Sequence, residues 1–532
     1  MRSTETTVRT DPRLAPPAWD ARPGAHAAAR VRLMALLALP LALWYFGWLL
    51  SPGRIGSPIL YTILIAAEAF NLVQAVGFWW TASRQRNRPA LRLVGAASPP
   101  RVDVLIPTYD EPVEVVEPTV AAAMRMRGAD LKVYVLDDGR GDAMRAMAAR
   151  RGARYLTRAR RAGAKAGNIN DALPRTDGEF LVVLDCDHVP AERMLEATLG
   201  HLADERVAMV QTPQYYANAG ANRVAAAAWA QQALFFGAIA RGKDGMGAMF
   251  CCGTNMVFRR AALTDAGGFP EDSVTEDFEL SVKLHERGWR TTYVPEVLAS
   301  GLGPEDMKSY VSQQQRWARG CLGGLRSAWR ADLPRRTKAQ YLLSSMYFLS
   351  GWTVLVYLTM PVVRILAGAQ PLAGATADQF LLHFAPYYAV ALGMVAVAGA
   401  GSFTFAGFAL ATSSFWIHVR ASLLAAVGRR GRFVVTPKEG ELRRQPGAVW
   451  PALTVVAILL GVAIYGVLKD PSPATVNNVA FAGFHISILM AGAWPALSRP
   501  DAPPAAAVDE TPVSEPAAAA RRRERERERV AA

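Results

Sequence analysis

Long runs without ionisable side chains constrain this chain more than any other feature. No Asp, Glu, Lys or Arg occurs from Leu33 to Gly53, and only Glu68 interrupts Ile55 to Ser83. Further uncharged runs cover Ala339 to Val363 (25 residues), Gln379 to Val419 (41), Gln445 to Leu468 (24) and Pro471 to Ser498 (28). About 20 apolar residues let a helix cross the hydrocarbon core of a bilayer, and buried helices of soluble proteins seldom run so far without a charge. The 41-residue run is too long for one crossing, and its second half, Phe403 to Val419, is rich in Ser, Thr, Gly and aromatics. That half is expected to lie along the interface as a helix. The chain therefore reads as a polytopic membrane protein with six spans, two before a large polar segment and four after it.

The cations set the topology. The sequence holds 59 Lys and Arg against 45 Asp and Glu, a formal net charge of +14. Arg22, Arg30 and Arg32 precede the first span, Arg84, Arg86, Arg88 and Arg92 follow the second, and Arg429, Arg430, Arg432, Lys438, Arg443 and Arg444 precede the fifth. The alternate loops hold little beyond Arg54 and Lys469, which puts both termini and the polar segment on the cytoplasmic side. Arg364, near the outer end of span three, is the awkward charge. Basic residues that flank spans, instead of covering one face of a domain, argue against nucleic acid as a partner and for contact with membrane lipid. The expected organisation is a disordered tail over 1–30, two spans within 31–83, a cytoplasmic domain over 84–330, two spans and the interfacial helix within 339–428, a cytoplasmic loop over 429–446, two spans within 447–498, and a Pro/Ala-rich tail over 499–532. The first apolar run starts late and has no small-residue cleavage site, so it reads as a signal anchor. All four cysteines lie in the polar segment, without C-x-x-C spacing, which argues against a zinc or dithiol site.

Within the polar segment, apolar strand-like runs at Val102–Pro107, Leu131–Leu136 and Phe180–Leu184 alternate with helical patterns at Val115–Arg127 and Asp142–Arg151. Such alternation predicts an α/β domain with a mostly parallel sheet. Ligands of these sheets bind beyond the carboxyl ends of the strands. Each run here ends in polar residues at that edge: Thr108-Tyr-Asp-Glu111, Asp137-Asp138-Gly139 and Asp185-Cys-Asp187. The uncharged, Ala-rich stretch Val224–Ala240 holds Gln231 and Gln232, and a crossing there would split the domain across the bilayer. It is expected to be a buried or interfacial helix.

Asp185 and Asp187 alternate along a strand end and so approach one region. Their hard oxygens suit Mg²⁺ or Mn²⁺ bridging a diphosphate. Lys165, in Lys-Ala-Gly-Asn168, supplies a cation on a glycine-loosened backbone. Thr275-Glu-Asp277 opens a helical pattern, so Thr275 is expected to cap it, and a carboxylate there in a partly dehydrated pocket can act as a general base. Gln313, Arg316 and Trp317 fall on a helix just before span three. Arg316 suits phosphate oxygens and Trp317 the face of a sugar ring, although Arg and Trp also mark a membrane interface.

The ordered series Ile106-Pro-Thr-Tyr-Asp-Glu-Pro112, Leu136-Asp-Asp-Gly139, Ala164-Lys-Ala-Gly-Asn168, Asp185-Cys-Asp187, Gln211-Thr-Pro213, Phe250-Cys-Cys-Gly253, Thr275-Glu-Asp277, Gln313-x-x-Arg316-Trp317 and Phe433-Val-Val-Thr-Pro-Lys438 resembles the membrane-embedded family-2 glycosyltransferases, above all bacterial cellulose synthase catalytic subunits and related processive β-glucan synthases. The resemblance runs from about Asp103 to Lys438. It implies an α/β GT-A-type glycosyltransferase domain inserted between transmembrane helices in a bacterial plasma (inner) membrane. The implied reaction is an inverting, processive transfer of glucose from UDP-glucose onto a growing β-1,4-glucan, with extrusion of the polymer. A β-1,3- or mixed-linkage glucan, and single transfer to a lipid or oligosaccharide, are alternatives the motifs leave open.

The resemblance also implies roles. Thr108, Tyr109, Glu111, Asp137 and Asp138 would surround the uridine. Lys165 would meet the diphosphate, and Asp185 and Asp187 would hold it through the metal. Asp277 would be the general base, Cys252 would line the acceptor pocket, Gln313 and Arg316 would contact donor phosphates, and Trp317 would stack under the terminal sugar. Phe433, Val435, Thr436 and Lys438 would belong to a loop that closes over the nucleotide. Asp110 departs from the family's usual Asn. After Leu497 only a short tail remains, so no C-terminal cyclic-di-GMP-binding domain is expected. An accessory subunit on the periplasmic or extracellular side is a common companion of such exporters.

Overall fold

The computed structural model describes residues 24–94, 98–427 and 444–498. Among them, six helices are long and apolar enough to cross a membrane: His26–Leu49, Pro58–Ala82, Arg335–Ala367, Ala377–Ala398, Trp450–Lys469 and Pro473–Leu497. These are spans one to six in chain order. The first helix starts at Gly24, inside the stretch expected to be a disordered tail. Ala27, Ala28 and Ala29 favour the helix there at no side-chain entropy cost. Glu68, the lone charge in its run, is buried against span three, where it accepts a 2.7 Å hydrogen bond from the Tyr357 hydroxyl. Arg364 lies in the last turn of span three and donates to the Gly368 carbonyl (2.8 Å). A cation at a helix C-terminus is electrostatically favoured, which accounts for that charge.

The interfacial helix expected over Phe403–Val419 is instead two helices, Phe405–Ser413 and Phe415–Ala426, broken at Ser414. The Thr404 hydroxyl caps the first by accepting from Gly407 N (3.1 Å). This first helix packs against span six and the second against span three, so the pair is held by the bundle as well as by any interface. The Ala-rich stretch is a buried helix over Arg223–Leu234 that continues through a π turn at Phe235–Ile239.

The polar segment forms two sheets. In chain order the strands are β1 (Arg101–Thr108), β2 (Asp130–Asp137), β3 (Arg154–Leu156), β4 (Phe180–Val183), β5 (Val189–Pro190), β6 (Val207–Gln211), β7 (Tyr215–Tyr216), β8 (Met256–Arg259), β9 (Arg290–Tyr293) and β10 (Ala299–Gly301). Seven build the main sheet in the order β3-β2-β1-β4-β8-β6-β9, and β5-β10-β7 form a small one. The main sheet is mostly parallel, as the alternation predicts. β8 is the exception, antiparallel to both β4 and β6. Val102, Val104 and Ile106 point into one hydrophobic layer, and Leu105, with Leu181 and Val183 of β4, into the other. Burial on both faces explains the nearly unbroken apolar runs.

The antiparallel β8 brings its own entry loop to the functional edge of the sheet. A strand running backwards begins at the edge where its parallel neighbours end. The Cys251–Asn255 segment that enters β8 therefore arrives beside the carboxyl end of β4, close to Asp185 and Asp187.

Candidate active site

A cavity of about 530 Å³ opens at that edge. Its wall includes Thr108, Tyr109, Glu111, Asp138, Lys165, Asp185, Asp187, Cys252, Asp277, Gln313, Arg316 and Trp317. Residues far apart in sequence thus meet because strand ends and one helix face converge.

One end is built on β1 and β2. The Thr108 hydroxyl donates to Glu111 Oε2 (2.7 Å), which also accepts from Tyr109 N (2.8 Å), so the motif folds into a tight turn. Asp138 is buried and clamped bidentately by Arg158, at 2.8 and 2.7 Å. Asp137 differs from expectation: it does not line the cavity. Its carboxylate accepts from Gly139 N (2.7 Å), Gly141 N (2.9 Å) and the Tyr155 hydroxyl (2.7 Å), which leaves it occupied in shaping the turn after β2. The period-2 alternation that turns Asp138 toward the cavity turns Asp137 away.

After β4, Asp185, Asp187 and His188 bring one ligand atom each within 4.8 Å of the others. His188 Nδ1 lies 3.2 Å from Asp187 Oδ1, and His188 Nε2 is buried with no protein hydrogen-bond partner. Two carboxylates and an imidazole with an unspent nitrogen form a donor set that fits a divalent cation. Lys165 forms an ion pair with Asp185 and donates to the Gly253 carbonyl (2.6 Å). Burial works against the Lys165 charge, yet Asp185, Glu276 and Asp277 outweigh it and raise its pKa. Burial likewise opposes the Asp185 charge, and Lys165 and His188 overcome it, leaving that carboxyl below its ordinary range.

At the other end, Glu276 and Asp277 open the helix Glu276–Glu286. Thr275 precedes it, but its hydroxyl makes no capping bond; it is buried against Gly320 of the next helix. Asp277 Oδ1 instead accepts from Phe278 N (2.8 Å). Burial and the neighbouring Glu276 push the Asp277 carboxyl well above the usual carboxylate range, despite Lys165 and Arg316. Gly253 sits opposite with φ +87°, where an added Cβ would lie 3.3 Å from Asp277 Oδ2. Only glycine adopts that backbone at low cost, and it lets the Lys165 anchor and the Asp277 carboxylate share one small space. The loop is fixed from behind: Gln211 Oε1 accepts from Cys252 N (2.9 Å), and the Thr254 hydroxyl accepts from Asp185 N (2.7 Å). Burial raises the Cys252 thiol well above its ordinary pKa, so it lines the cavity as a neutral group.

Gln313, Arg316 and Trp317 project from the helix Met307–Arg330 at i, i+3 and i+4, which is one face. Asp306 caps this helix by accepting from Ser309 N (2.9 Å). Trp317 also packs with Phe348, within span three, and with Ala421. The cavity wall is thereby continuous with the foot of the spans. Phe433, Val435, Thr436 and Lys438 lie outside the described residues.

Several residues in or behind the wall carry little signal in the sequence. His188 directly follows the Asp-x-Asp pair, which is the one signal that points to it. Arg158, which fixes Asp138, stands in an Arg-rich loop where no pattern distinguishes it. Gln214 and Glu276 also line the cavity; of these only Glu276 is flagged, by its place in Thr-Glu-Asp.

Residues 180–401 match the family described as glycosyl transferase family group 2. Over that stretch the chain is similar to the family-2 glycosyltransferases, and the domain has a GT-A-type fold. Curated relatives narrow this further. Cellulose synthase 2 of Novacetimonas hansenii is 32% identical over 449 residues, covering 81% of this chain and 28% of that protein. The cellulose synthase catalytic subunits (UDP-forming) of Komagataeibacter sucrofermentans and Pseudomonas fluorescens are 31% and 32% identical over 464 residues, covering 82% of this chain and 60% and 61% of theirs. The chain spans about three-fifths or less of the length of these relatives. Among solved structures, the mannosyltransferase PcManGT from Pyrobaculum calidifontis, in complex with GDP-mannose and Mn²⁺, superposes with a TM-score of 0.51 at 19% identity, covering 70% of this chain and all of that one. It supports the fold.

Proposed function

We propose that this chain is an inverting, processive hexosyltransferase that polymerises glucose from UDP-glucose into a β-1,4-glucan and passes it out between its spans. One observation carries the reading. A half-buried carboxylate beside a second one (Asp277 next to Glu276) and a cluster whose donors suit a cation (Asp185, Asp187, His188) share one cavity, whose Trp317 wall rests on the foot of the spans. The UDP-forming cellulose synthase subunits among the relatives support the donor and product.

In this reading Asp277 accepts the proton of the acceptor hydroxyl as its oxygen attacks the anomeric carbon. The bond from that carbon to the diphosphate oxygen breaks, and UDP leaves with the electron pair. Attack from the side opposite the leaving group inverts the centre. Thr108, Tyr109, Glu111 and Asp138 hold the nucleoside, while Lys165, Gln313 and Arg316 stabilise charge on the diphosphate. Asp185 and Asp187, with His188, would hold Mg²⁺ or Mn²⁺, which supplies electrostatic stabilisation of the leaving diphosphate when bound. Trp317 stacks against the terminal sugar and presents its hydroxyl to Asp277. The domain and both termini face the cytoplasm, as the Lys and Arg distribution argues.

The test is incorporation of radiolabel from UDP-glucose by the purified full chain in membranes, with Mg²⁺ or Mn²⁺, followed by digestion with linkage-specific glucanases. Polymer degraded by a β-1,4-glucanase is expected. Product that only a β-1,3-glucanase degrades would replace the linkage and leave the chemistry standing. Absence of product from any UDP-sugar would sink the reading.

A further inference from the structure

A second cavity lies away from the active site, between spans two and three. It is a groove of about 490 Å³ with a wholly apolar wall, formed by Val73, Val76 and Gly77 of span two and Ala339, Leu343 and Met346 of span three, among others. Gly77 sets its depth, since an added Cβ there would fall 2.6 Å from Leu343 Cδ2. The two helices are tied behind the groove by buried polar bonds. Gln340 Nε2 donates to the Thr81 hydroxyl (2.9 Å), and Lys243 Nζ donates to the Gln340 carbonyl (3.1 Å). The walls are therefore fixed in place, unlike a chance gap between loosely packed helices.

The groove has a charged end. On span two, the 3–4 residue spacing of its wall (Val73, Val76/Gly77) continues through Trp80 to Arg84, and Arg84 N still bonds to the Thr81 carbonyl (3.0 Å), which carries the helical turn that far. On span three, the line Met346, Leu342/Leu343, Ala339 continues backwards to Lys338 and Arg335. Arg84 and Arg335 are exposed and Lys338 is half-buried. Among the described residues, no carboxylate forms an ion pair with any of the three; Glu286, at the same end, accepts from Asp332 N instead. An apolar slot of fixed shape thus ends in three uncompensated cations at the level where the helices meet the catalytic domain.

We propose that this groove binds an anionic phospholipid, with an acyl chain between spans two and three and the phosphate held by Arg84, Arg335 and Lys338. Charge complementarity commits the site to an anionic headgroup, because a zwitterionic lipid would bring a cation of its own. The site lies beside the Gln340 tie, which joins span three to the catalytic domain through Lys243.

The test uses the full chain, delipidated in mild detergent, with phosphatidylglycerol or phosphatidylcholine of matched chains added back and retention read by native mass spectrometry. Preferential retention of phosphatidylglycerol is expected. The combined Arg84→Gln, Arg335→Gln, Lys338→Gln variant should weaken that preference by about 10²-fold, as about 1 kcal/mol for each of three cations implies. Ala339→Phe, which fills the slot, should lower retention of both lipids. Equal retention of the two lipids by the native chain would overturn the proposal, as would a preference that survives in the triple variant. A groove found to hold a partner's helix in membranes, with no lipid preference, would overturn it as well. Neutralising Arg125, Arg127 and Arg150 on the soluble domain is the control and should change nothing.

Discussion

The two ends of the active-site cavity manage charge in opposite ways. At the donor end the carboxylates are compensated: Asp138 by Arg158, Asp185 by Lys165, and Glu111 by the Thr108 hydroxyl and Tyr109 N. At the acceptor end Glu276 and Asp277 adjoin each other, and burial dominates both, so each is raised from its ordinary value. In the proposed reaction the first arrangement holds fixed charges ready for a polyanionic diphosphate and a cation. The second keeps a carboxylate whose basicity has been increased, which is what proton removal from a hydroxyl requires. The same residue type therefore stands in two electrostatic states, and its neighbours decide which.

The sharpest way to break this contrast is at its basic end. Asp277→Asn keeps size and polarity but removes the proton acceptor. Turnover should fall by about 10³-fold, with UDP affinity unchanged by calorimetry. Retained turnover would exclude Asp277 as the base. Next in size, Asp187→Ala should lower metal-dependent UDP binding and turnover together, by about 10²-fold. A loss of turnover with intact metal-dependent binding would move Asp187 out of the cation cluster.

The third change acts on the pH profile. As the proposed base, Asp277 must be ionised to act, and its raised pKa means that protonation begins at a higher pH than for an ordinary carboxylate. The acid limb of kcat/KM should accordingly lie well above about pH 4, the usual Asp value. Glu276→Gln removes a neighbouring negative charge that raises Asp277. The acid limb should then move to lower pH, while the rate on the plateau drops because a weaker base accepts the proton less readily. An acid limb that stays in place, or moves upward, would show that Glu276 does not set the basicity of Asp277.

Strand geometry decides how much of this site can be read from the sequence. Asp185 directly follows the five apolar residues Phe180–Leu184, with Asp187 two positions on, and strand period alone sends both to the sheet edge. Gln313, Arg316 and Trp317 are recoverable from helical spacing. The antiparallel β8 is not recoverable, because a short apolar run reads alike in either direction, and so the approach of Gly253 to Asp277 stays hidden. Arg158 is equally hidden, since its pairing with Asp138 depends on the path of the loop between them. The Thr275 cap fails for a tertiary reason: close packing on Gly320 takes the hydroxyl that the local pattern assigns to the helix. The six spans are legible because composition alone decides them, whereas the break at Ser414 depends on how two short helices seat against spans three and six.

The smallest expected effect separates two adjacent carboxylates. Asp138 lines the cavity and Asp137 does not, although both stand in one Asp-Asp-Gly motif. Asp137→Asn keeps one oxygen acceptor but puts an amide donor where the turn already presents Gly139 N, Gly141 N and the Tyr155 hydroxyl, all of them donors. At least one half-buried or exposed donor then loses its acceptor, at a cost of about 1 kcal/mol. The apparent Tm of the purified protein in detergent should fall measurably, while KM for UDP-glucose should change by less than about threefold, a shift worth under 1 kcal/mol. Asp138→Asn should raise that KM further, because it loosens the Arg158 clamp on the cavity wall itself. If Asp137→Asn instead weakened UDP binding tenfold with an unchanged Tm, Asp137 would be a nucleotide contact, and the division between a shaped turn and a binding carboxylate would have to be drawn elsewhere.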